Sequence, residues 1–254
     1  MSFYNLTKEE RIKLVEQISA NILSDINKGT QTKFIVYFSD EDTYIRKSAY
    51  LAIGKIYNEL KSLQTKIIKI LDGLLREEDA KIRQTIINSA GEIGMKDFKT
   101  VEYFFDKGLF DEHHSVRNAV IGSMKKMGEK NPEPILNWAR KYLHHPDKEV
   151  RREICHGIEL RGRKFPGDIL PLLKELQHDK TARVRNTLIH VLGQIAYKRG
   201  CLKVVVEDLN NWDNKELTDK AIEEIIDVHE RYKNFSFLTQ KEAIEYIDKH
   251  YKKT

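Results

Sequence analysis

The stretch His145-Pro146-Asp147-Lys148-Glu149-Val150-Arg151-Arg152 contains a pattern that recurs along most of the 254-residue sequence. Five pairs of an apolar residue and an arginine stand in register, and their arginines are 37, 34, 34 and 34 residues apart. The pairs are Ile45-Arg46, Ile82-Arg83, Val116-Arg117, Val150-Arg151 and Val184-Arg185. A fixed period of this length is typical of repeat proteins, in which one supersecondary unit stacks on the next.

Each period contains two helical patterns. The first is strongly apolar, as in Ile169-Leu170-Pro171-Leu172-Leu173, and the second is amphipathic, with Val184, Leu188 and Val191 on one face. Acidic residues in the intervening turn suit the free N–H groups of the second helix. This layout resembles the HEAT-repeat family. The resemblance implies a ladder between neighbouring repeats, formed by acidic turn residues and the arginines, and second helices that line a concave surface.

The predicted fold is all-α, a HEAT-like α-α superhelix (solenoid) of about six helix pairs with capping helices. We expect a single domain over residues 1–254. Within it, residues 1–28 form an N-terminal cap, 29–200 five regular repeats, and 201–254 a degenerate repeat and C-terminal cap. Capping-box sequences begin the first and last helices, at Thr7-Lys8-Glu9-Glu10 and Thr239-Gln240-Lys241-Glu242.

The composition excludes several classes of protein. Charged residues make up 33% of the chain, the mean hydropathy is −0.56, and no apolar run is long enough to span a bilayer. The N-terminus lacks the layout of a signal peptide. Cys155 and Cys201 are the only cysteines, too few for a disulfide framework or a thiolate zinc site. We therefore expect a cytoplasmic protein that does not associate with membranes.

The positive charge is concentrated in residues 138–200, here called the cationic segment. It contains 14 Lys and Arg against 7 Asp and Glu, a net charge of +7, whereas the whole chain carries +5. The segment also contains five of the nine histidines. This distribution indicates an anion-binding region, although lysines and arginines that only solvate a helix face would give the same pattern.

Two columns of the repeat are predicted to lie on the solvent side of the second helices. One residue after each repeat arginine stand Lys47, Gln84, Asn118, Arg152 and Asn186. All five side chains can donate hydrogen bonds and none is a carboxylate. Five residues after each arginine stand Leu51, Asn88, Gly122, His156 and His190. A surface lined with donors suits the phosphate backbone of nucleic acid, and it suits an acidic protein or peptide equally well.

The fourth repeat breaks the pattern. Eight and ten residues after the repeat arginine, the first, second and fifth repeats have glycine and isoleucine, whereas the fourth has Glu159 and Arg161. Because charge replaces packing residues here, the irregular run from His156 to Arg163 is a candidate functional site. Arg152, His156, Glu159 and Arg163 fall on one stripe if the helix continues.

Residues 138–212 resemble the bacterial DNA-alkylation-repair proteins of the AlkC/AlkD type. The resemblance lies in Cys155-His156-Gly157-Ile158-Glu159-Leu160-Arg161, in the run from Asp168 to Leu176, and in Val184-Arg185-Asn186. It implies a HEAT-like fold that excises alkylated purines, with Arg152 contacting DNA near the lesion and Arg161 matching a second motif arginine. The chain departs from the family where Glu149 replaces a tryptophan, Cys155-His156 replace Ser-Glu, and Asn118-Ala119 stand at the catalytic aspartate.

Excision of a cationic alkylpurine needs a carboxylate that stabilises an oxocarbenium-like sugar. Glu153 and Glu159 are the carboxylates near the matched arginine, and they are the catalytic candidates. Each is equally explained as a salt-bridge partner of a neighbouring cation. No cofactor is implied, and no metal site is expected, because the pair His144-His145 lacks a third ligand at helical spacing.

The leading hypothesis is therefore a monomeric protein that binds double-stranded DNA in a basic groove, with glycosylase activity as a possibility. The alternative is a non-catalytic scaffold that binds an acidic protein or peptide. Trp138 and Trp212 are predicted to belong to the core of first helices. The predicted nucleic-acid-binding residues are Lys47, Asn118, Arg152, His156, Arg161, Arg163, Asn186 and His190.

Overall fold

The computed structural model describes residues 3–252, and these residues form helices joined by short turns, without a β-strand. The helices are α1 Lys8–Lys28, α2 Thr32–Phe38, α3 Thr43–Glu59, α4 Gln64–Leu74, α5 Ala80–Gly94, α6 Phe98–Gly108, α7 His114–Lys130, α8 Pro132–Tyr142, α9 Lys148–Gly157, α10 Glu159–Gly162, α11 Pro166–Lys174, α12 Ala182–Ala196, α13 Cys201–Leu209, α14 Lys215–Arg231 and α15 Gln240–His250. Short 3-10 turns lie at Phe3–Asn5 and Lys61–Leu63. The all-α prediction is confirmed.

The described chain divides into two compact units, the first ending at Asn131 and the second beginning at Pro132. The first contains the cap α1 and the pairs α2/α3, α4/α5 and α6/α7. In this unit α1 packs on α3, α3 on α5 and α5 on α7. The second contains α8 with α9 and α10, then α11/α12, α13/α14 and the cap α15, and here α9 packs on α12 and α12 on α14. The expected six helix pairs with terminal capping helices are thus present in residues 3–252. A single domain over the whole chain stays a prediction.

The second helices begin where the sequence predicts them. The side chains of Asp42, Asp79 and Asp147 each accept a hydrogen bond from the amide two residues ahead, at 2.7–2.8 Å. His113 does the same through Nδ1 at 3.2 Å. Both capping boxes also form, at Thr7 with Glu10 and at Thr239 with Glu242. These bonds satisfy amides that have no partner inside the helix, which fixes the start of each helix.

Two of the repeat arginines, Arg83 and Arg151, form ion pairs with the following repeat, here called rungs, and the acidic residue in each rung differs from the one that caps the helix. Arg151 donates to both carboxylate oxygens of Asp179, 28 residues ahead, at 2.5 and 3.1 Å. Arg83 bonds Asp111 in the same way at 2.8 and 3.0 Å. Asp111 and Asp179 each stand six residues before the next repeat arginine, whereas the capping residues stand four before their own arginine. Asp147, which caps α9, bonds the amide of Glu149 instead. Arg151 also donates to the backbone carbonyls of His145 and Pro146 and so closes its own turn.

Glycines let the second helices approach closely in the regular repeats. A Cβ on Gly54 of α3 would lie 2.5 Å from the Cβ of Glu92 in α5. A Cβ on Gly91 would lie 2.5 Å from the Ser123 hydroxyl in α7, and one on Gly193 would lie 2.7 Å from Glu224 in α14. Glu159 occupies the same register in the fourth repeat. The helix of this repeat is interrupted just before Glu159, between α9 and α10, whereas α7, with Lys125 in the same register, is continuous.

We expect Gly91→Ala to lower the free energy of unfolding by about 1–3 kcal/mol, the usual cost of overpacking a tight contact. Alanine is a better helix former than glycine, so only the clash with Ser123 can reverse its benefit. Gly122→Ala is the matched control, because no heavy atom lies within 4 Å of its Cβ position. It should stabilise α7 by up to about 1 kcal/mol. Urea unfolding of both variants checks the pair, and equal effects would contradict the close-approach account.

Both tryptophans are buried at 1% exposure, as predicted. Trp138 lies in α8, whereas α13 ends at Leu209 and leaves Trp212 in the following turn, where its indole N–H donates to Asp208 at 2.7 Å. Cys155 and Cys201 are free thiols, and both are buried. Within residues 3–252, no helix combines the length and apolar character needed to cross a bilayer.

Candidate functional site

The irregular run of the fourth repeat keeps its side chains on one stripe despite the helix break. α9 ends at Gly157 and α10 begins at Glu159, and the intervening Ile158 retains helical dihedral angles (φ −86°, ψ −6°). His156, Glu159 and Arg163 therefore follow one another at one-turn intervals, as the sequence predicts. They face α12, which packs against both α9 and α10.

A buried carboxylate lies at the centre of this region. Glu159 is only 1% exposed, and its Oε1 accepts a hydrogen bond from Nη2 of Arg163. The same Nη2 donates to Oε1 of Gln194 in α12 at 2.8 Å. The other carboxylate oxygen, Oε2, lies 3.1 Å from Nε2 of His156. These residues, together with His190, are called the Glu159 cluster below.

His190 joins the cluster from α12. One donor atom each from His156, Glu159 and His190 lies within 4.8 Å of the other two, a grouping that could hold a metal ion. Nδ1 of His190 lies 3.7 Å from Glu224 in α14, and Glu224 in turn pairs with Arg231 at 2.8 Å. The sequence did not predict this grouping, because the histidines considered as metal ligands were the adjacent His144 and His145. The available signal was that His156 and His190 occupy the same column in consecutive repeats, and that Glu159 follows His156 by three residues.

The other arginines chosen from the sequence are also paired with carboxylates of this chain. Nε of Arg152 donates to Glu149 at 2.9 Å, and its Nη2 lies 3.5 Å from Glu153, which is 5% exposed. Arg161 bonds Asp168 of α11 at 2.6 Å and rests on the ring of Phe165 at 3.9 Å. Arg152, Arg161 and Arg163 are therefore each neutralised locally.

The remaining candidates do not join the cluster. Lys47 on α3 and Asn118 on α7 are exposed residues of the first unit, and the exposed Asn186 lies on α12 of the second. Asn186 lines a polar hollow of about 320 Å³, called the turn hollow, between the beginnings of α12 and α14. The lysines of this hollow, Lys180 and Lys220, were not singled out in the sequence, because neither occupies a repeat column.

The cationic groups that line the turn hollow are the guanidinium of Arg185 and the ammonium groups of Lys180 and Lys220. Lys220 pairs with Glu216 at 2.6 Å, and Arg185 donates to the backbone carbonyl of Asp179. Lys180 is exposed at the rim, beside the exposed Asn186. A guanidinium, an ammonium group and an amide that converge on one hollow can hold a carboxylate or a phosphate oxygen.

The comparisons support a fold rather than a function. No family model matches the chain, and no curated protein is similar to it in sequence. Among solved structures, a TOG domain of crescerin, a protein described as regulating microtubules in the primary cilium, is 16% identical. Its match covers 76% of this chain and 88% of that one with a TM-score of 0.50. YibA of E. coli is 18% identical over 96% of this chain and 87% of its own, with a TM-score of 0.45. A computationally designed armadillo repeat protein for modular peptide recognition is 15% identical over 82% and 98%, with a TM-score of 0.36. The chain is a helical-repeat protein with a HEAT-like fold.

Proposed function

We propose that this protein is a non-catalytic HEAT-repeat scaffold that binds an acidic protein partner through its second unit. The observation that carries the proposal is the ion pairing of Arg152, Arg161 and Arg163, the three arginines that the sequence predicts to bind DNA. Each has a carboxylate partner at hydrogen-bonding distance within this chain.

Phosphate binding at these positions would require breaking existing pairs. A protein gains affinity for DNA when its cations displace condensed counterions from phosphates, and a cation already neutralised by a fixed carboxylate contributes little to this exchange. Release of Arg163 would also leave the carboxylate of Glu159 buried without its cation, which is strongly unfavourable. The pairing therefore favours a partner that does not depend on these three guanidinium groups.

The two proposed catalytic carboxylates have the same difficulty. A general base or an electrostatic catalyst must come within hydrogen-bonding reach of the reacting atoms. Glu153 and Glu159 are almost completely buried, and both lie against arginines. Their burial and pairing support a structural role over base excision.

The turn hollow supplies the positive surface that an acidic partner needs. Its lining, at the beginnings of α12 and α14, contains the cations of Lys180, Arg185 and Lys220, but Lys220 pairs with Glu216, so Lys180 and Arg185 supply most of the positive charge that a partner would meet. Free backbone N–H groups and the helix dipole favour negative charge at such positions. Side-chain carboxylates of a protein can enter a hollow of this size one at a time, while the rest of the partner lies along the exposed helix faces.

We expect Lys180→Glu to weaken binding of a fluorescent polyglutamate peptide by at least about tenfold, because a like charge facing an acidic ligand opposes association. Lys203→Glu is the matched control, since Lys203 is an exposed lysine of α13 outside the hollow and undergoes the same charge change. Fluorescence anisotropy at fixed ionic strength measures both. Equal weakening would mean that only net charge matters and would contradict a site at the hollow.

DNA binding is the second candidate. The net charge of +7 in the cationic segment favours it, as does the resemblance of residues 138–212 to the AlkC/AlkD-type repair proteins. Under this proposal, release of methylated purines from alkylated DNA would be lost in Glu153→Gln or Glu159→Gln. A chain that binds duplex DNA without releasing such bases would be a non-catalytic DNA-binding protein.

A further inference from the structure

We propose that His156, Glu159 and His190 form a binding site for a divalent transition-metal ion of the Zn²⁺ class. The three residues come from α9, α10 and α12, so the site depends on the helix break and on the packing of α12 against it. The proposal goes beyond the scaffold function, because it needs neither the turn hollow nor an acidic partner.

The spacing of the donor atoms suits such an ion. Tetrahedral zinc with bonds of about 2.0–2.1 Å places its ligand atoms about 3.3 Å apart. Nε2 of His156 and Oε2 of Glu159 are already 3.1 Å apart. All three donor atoms lie within 4.8 Å of one another. A shift of the histidine side chains by about 1.5 Å would therefore bring the donor atoms to the spacing expected around zinc. Both histidines are only partly buried and have room for this adjustment.

Neighbouring groups already orient the ligands. Zinc-bound histidines usually direct their second ring nitrogen at a carboxylate, and zinc-bound carboxylates are usually hydrogen-bonded in turn. Nδ1 of His190 faces Glu224 at 3.7 Å, which leaves Nε2 of His190 for the ion. Oε1 of Glu159 is held by Arg163, which leaves Oε2 as the ligand on the side of His156.

The charges of the neighbouring side chains indicate which further ligand the bound ion would take. Glu159 pairs with Arg163, whereas Arg231 pairs with both Glu224 and Asp227, so these side chains together carry one negative charge that offsets only part of the charge of the ion. Cys155 is completely buried, and its sulfur is not among the donor atoms that lie together in the cluster. With three protein ligands, zinc keeps an open position for water or an anionic oxygen. The side chain of His156 is about 36% exposed, so solvent reaches this side of the cluster.

The test uses the full chain after treatment with a chelator and titration with Zn²⁺ in a calorimeter. We expect one ion per chain, and a higher unfolding temperature in the presence of Zn²⁺, because an ion that binds only the folded state stabilises it. His156→Gln and His190→Gln should each weaken Zn²⁺ binding by at least about tenfold, a loss at least as large as that usually caused by removing a residue behind the ligands. His178→Gln is the control, because His178 is an exposed histidine of the same unit outside the cluster.

Imidazole nuclear magnetic resonance of the unaltered chain gives a second measurement that does not depend on how the variants fold. Of the nine histidines, only His156 and His190 should shift on addition of one equivalent of Zn²⁺. Three results would overturn the proposal: no saturable binding by the folded wild-type chain, unchanged affinity in both His156→Gln and His190→Gln, or shifts at His144 and His145 instead.

Discussion

Arg151→Ala is expected to lower the free energy of unfolding by about 3–5 kcal/mol, the usual cost of removing one partner of a buried ion pair. Arg151 and Asp179 are both almost completely buried, and the guanidinium joins both carboxylate oxygens. Without Arg151, Asp179 would keep a buried charge with only the amide and hydroxyl of Thr181 beside it. Guanidinium chloride unfolding measures the difference.

Arg46→Ala is the matched control for Arg151→Ala. Arg46 occupies the same position in the first repeat, where it donates to the backbone carbonyls of Asp40 and Glu41. Its removal breaks hydrogen bonds without leaving a buried carboxylate, so a loss of about 1–2 kcal/mol is expected. If the two variants lost equal stability, the ion pair between Arg151 and Asp179 would contribute no more to stability than the backbone hydrogen bonds of Arg46.

The rung also makes a definite contribution to stability against acid. Burial alone would raise the pKa of Asp179, but hydrogen bonds from Arg151 and Thr181 together with the charge of Arg151 hold it below its usual value. A carboxyl whose pKa is lowered by folding stabilises the protein above its unfolded pKa of about 3.9 and loses that contribution as the pH falls further. Arg151→Ala removes the guanidinium that lowers this pKa, so we expect the stability gap between wild type and variant to narrow as the pH falls and to be lost below the lowered pKa of Asp179.

Glu159→Leu should have the second-largest effect, a loss of about 3 kcal/mol, measured in chelator-treated protein. The carboxylate is buried, and its removal leaves Arg163 with Gln194 as its remaining side-chain acceptor. Within residues 3–252, Nε of Arg163 already lacks an acceptor, so this guanidinium depends on Glu159. The expected loss is at the low end for buried pairs, because the side chain of Arg163 is 26% exposed and can partly turn to water.

The double variant Glu159→Leu with Arg163→Leu should recover most of this loss, because apolar residues of similar volume often replace a buried pair at little cost. Glu149→Gln is the control from the same repeat. Glu149 pairs with Arg152 and Arg183, but its side chain is one-third exposed. Ion pairs at such positions contribute about 0–1 kcal/mol. A double variant no more stable than Glu159→Leu alone would show that Glu159 does not act through Arg163.

The stability of Glu159→Leu also bears on catalysis. Catalytic groups are commonly held in strained or unfavourable surroundings, so their removal often leaves stability unchanged or improved. A large loss of stability is instead the signature of a residue that holds the fold together. The expected loss would therefore place Glu159 among the structural residues, and a gain would favour the excision hypothesis.

Much of the fold could be predicted from the sequence, because its determinants are local and periodic. The recurring apolar-arginine pair fixes the register, and Asp42, Asp79 and Asp147 cap the second helices through bonds that span only two residues. The identity of the rung partner was less predictable. Asp147 and Asp179 are both acidic turn residues, and only the three-dimensional stacking of repeats decides which one meets Arg151.

The sequence predicted where the candidate site lies, but it did not predict which side chains contact one another there. Glu159 in place of a glycine marked the fourth repeat as irregular, and the structure shows that the helix is interrupted just before this residue. The convergence of His156 with His190 depends on how α9 packs against α12, which no local pattern encodes. Likewise, the sequence could not show that Arg152, Arg161 and Arg163 each meet a carboxylate.

A salt-titrated comparison of duplex DNA with a polyglutamate peptide tests the scaffold proposal most directly. A protein that contacts 6–10 phosphates loses about 10³–10⁵ in DNA affinity between about 50 and 200 mM salt. We expect no saturable DNA binding with such a slope, and peptide binding that weakens in Lys180→Glu but not in Lys203→Glu. Tight duplex binding with a steep salt dependence, lost in Arg152→Ala, would contradict the account and establish DNA as the ligand.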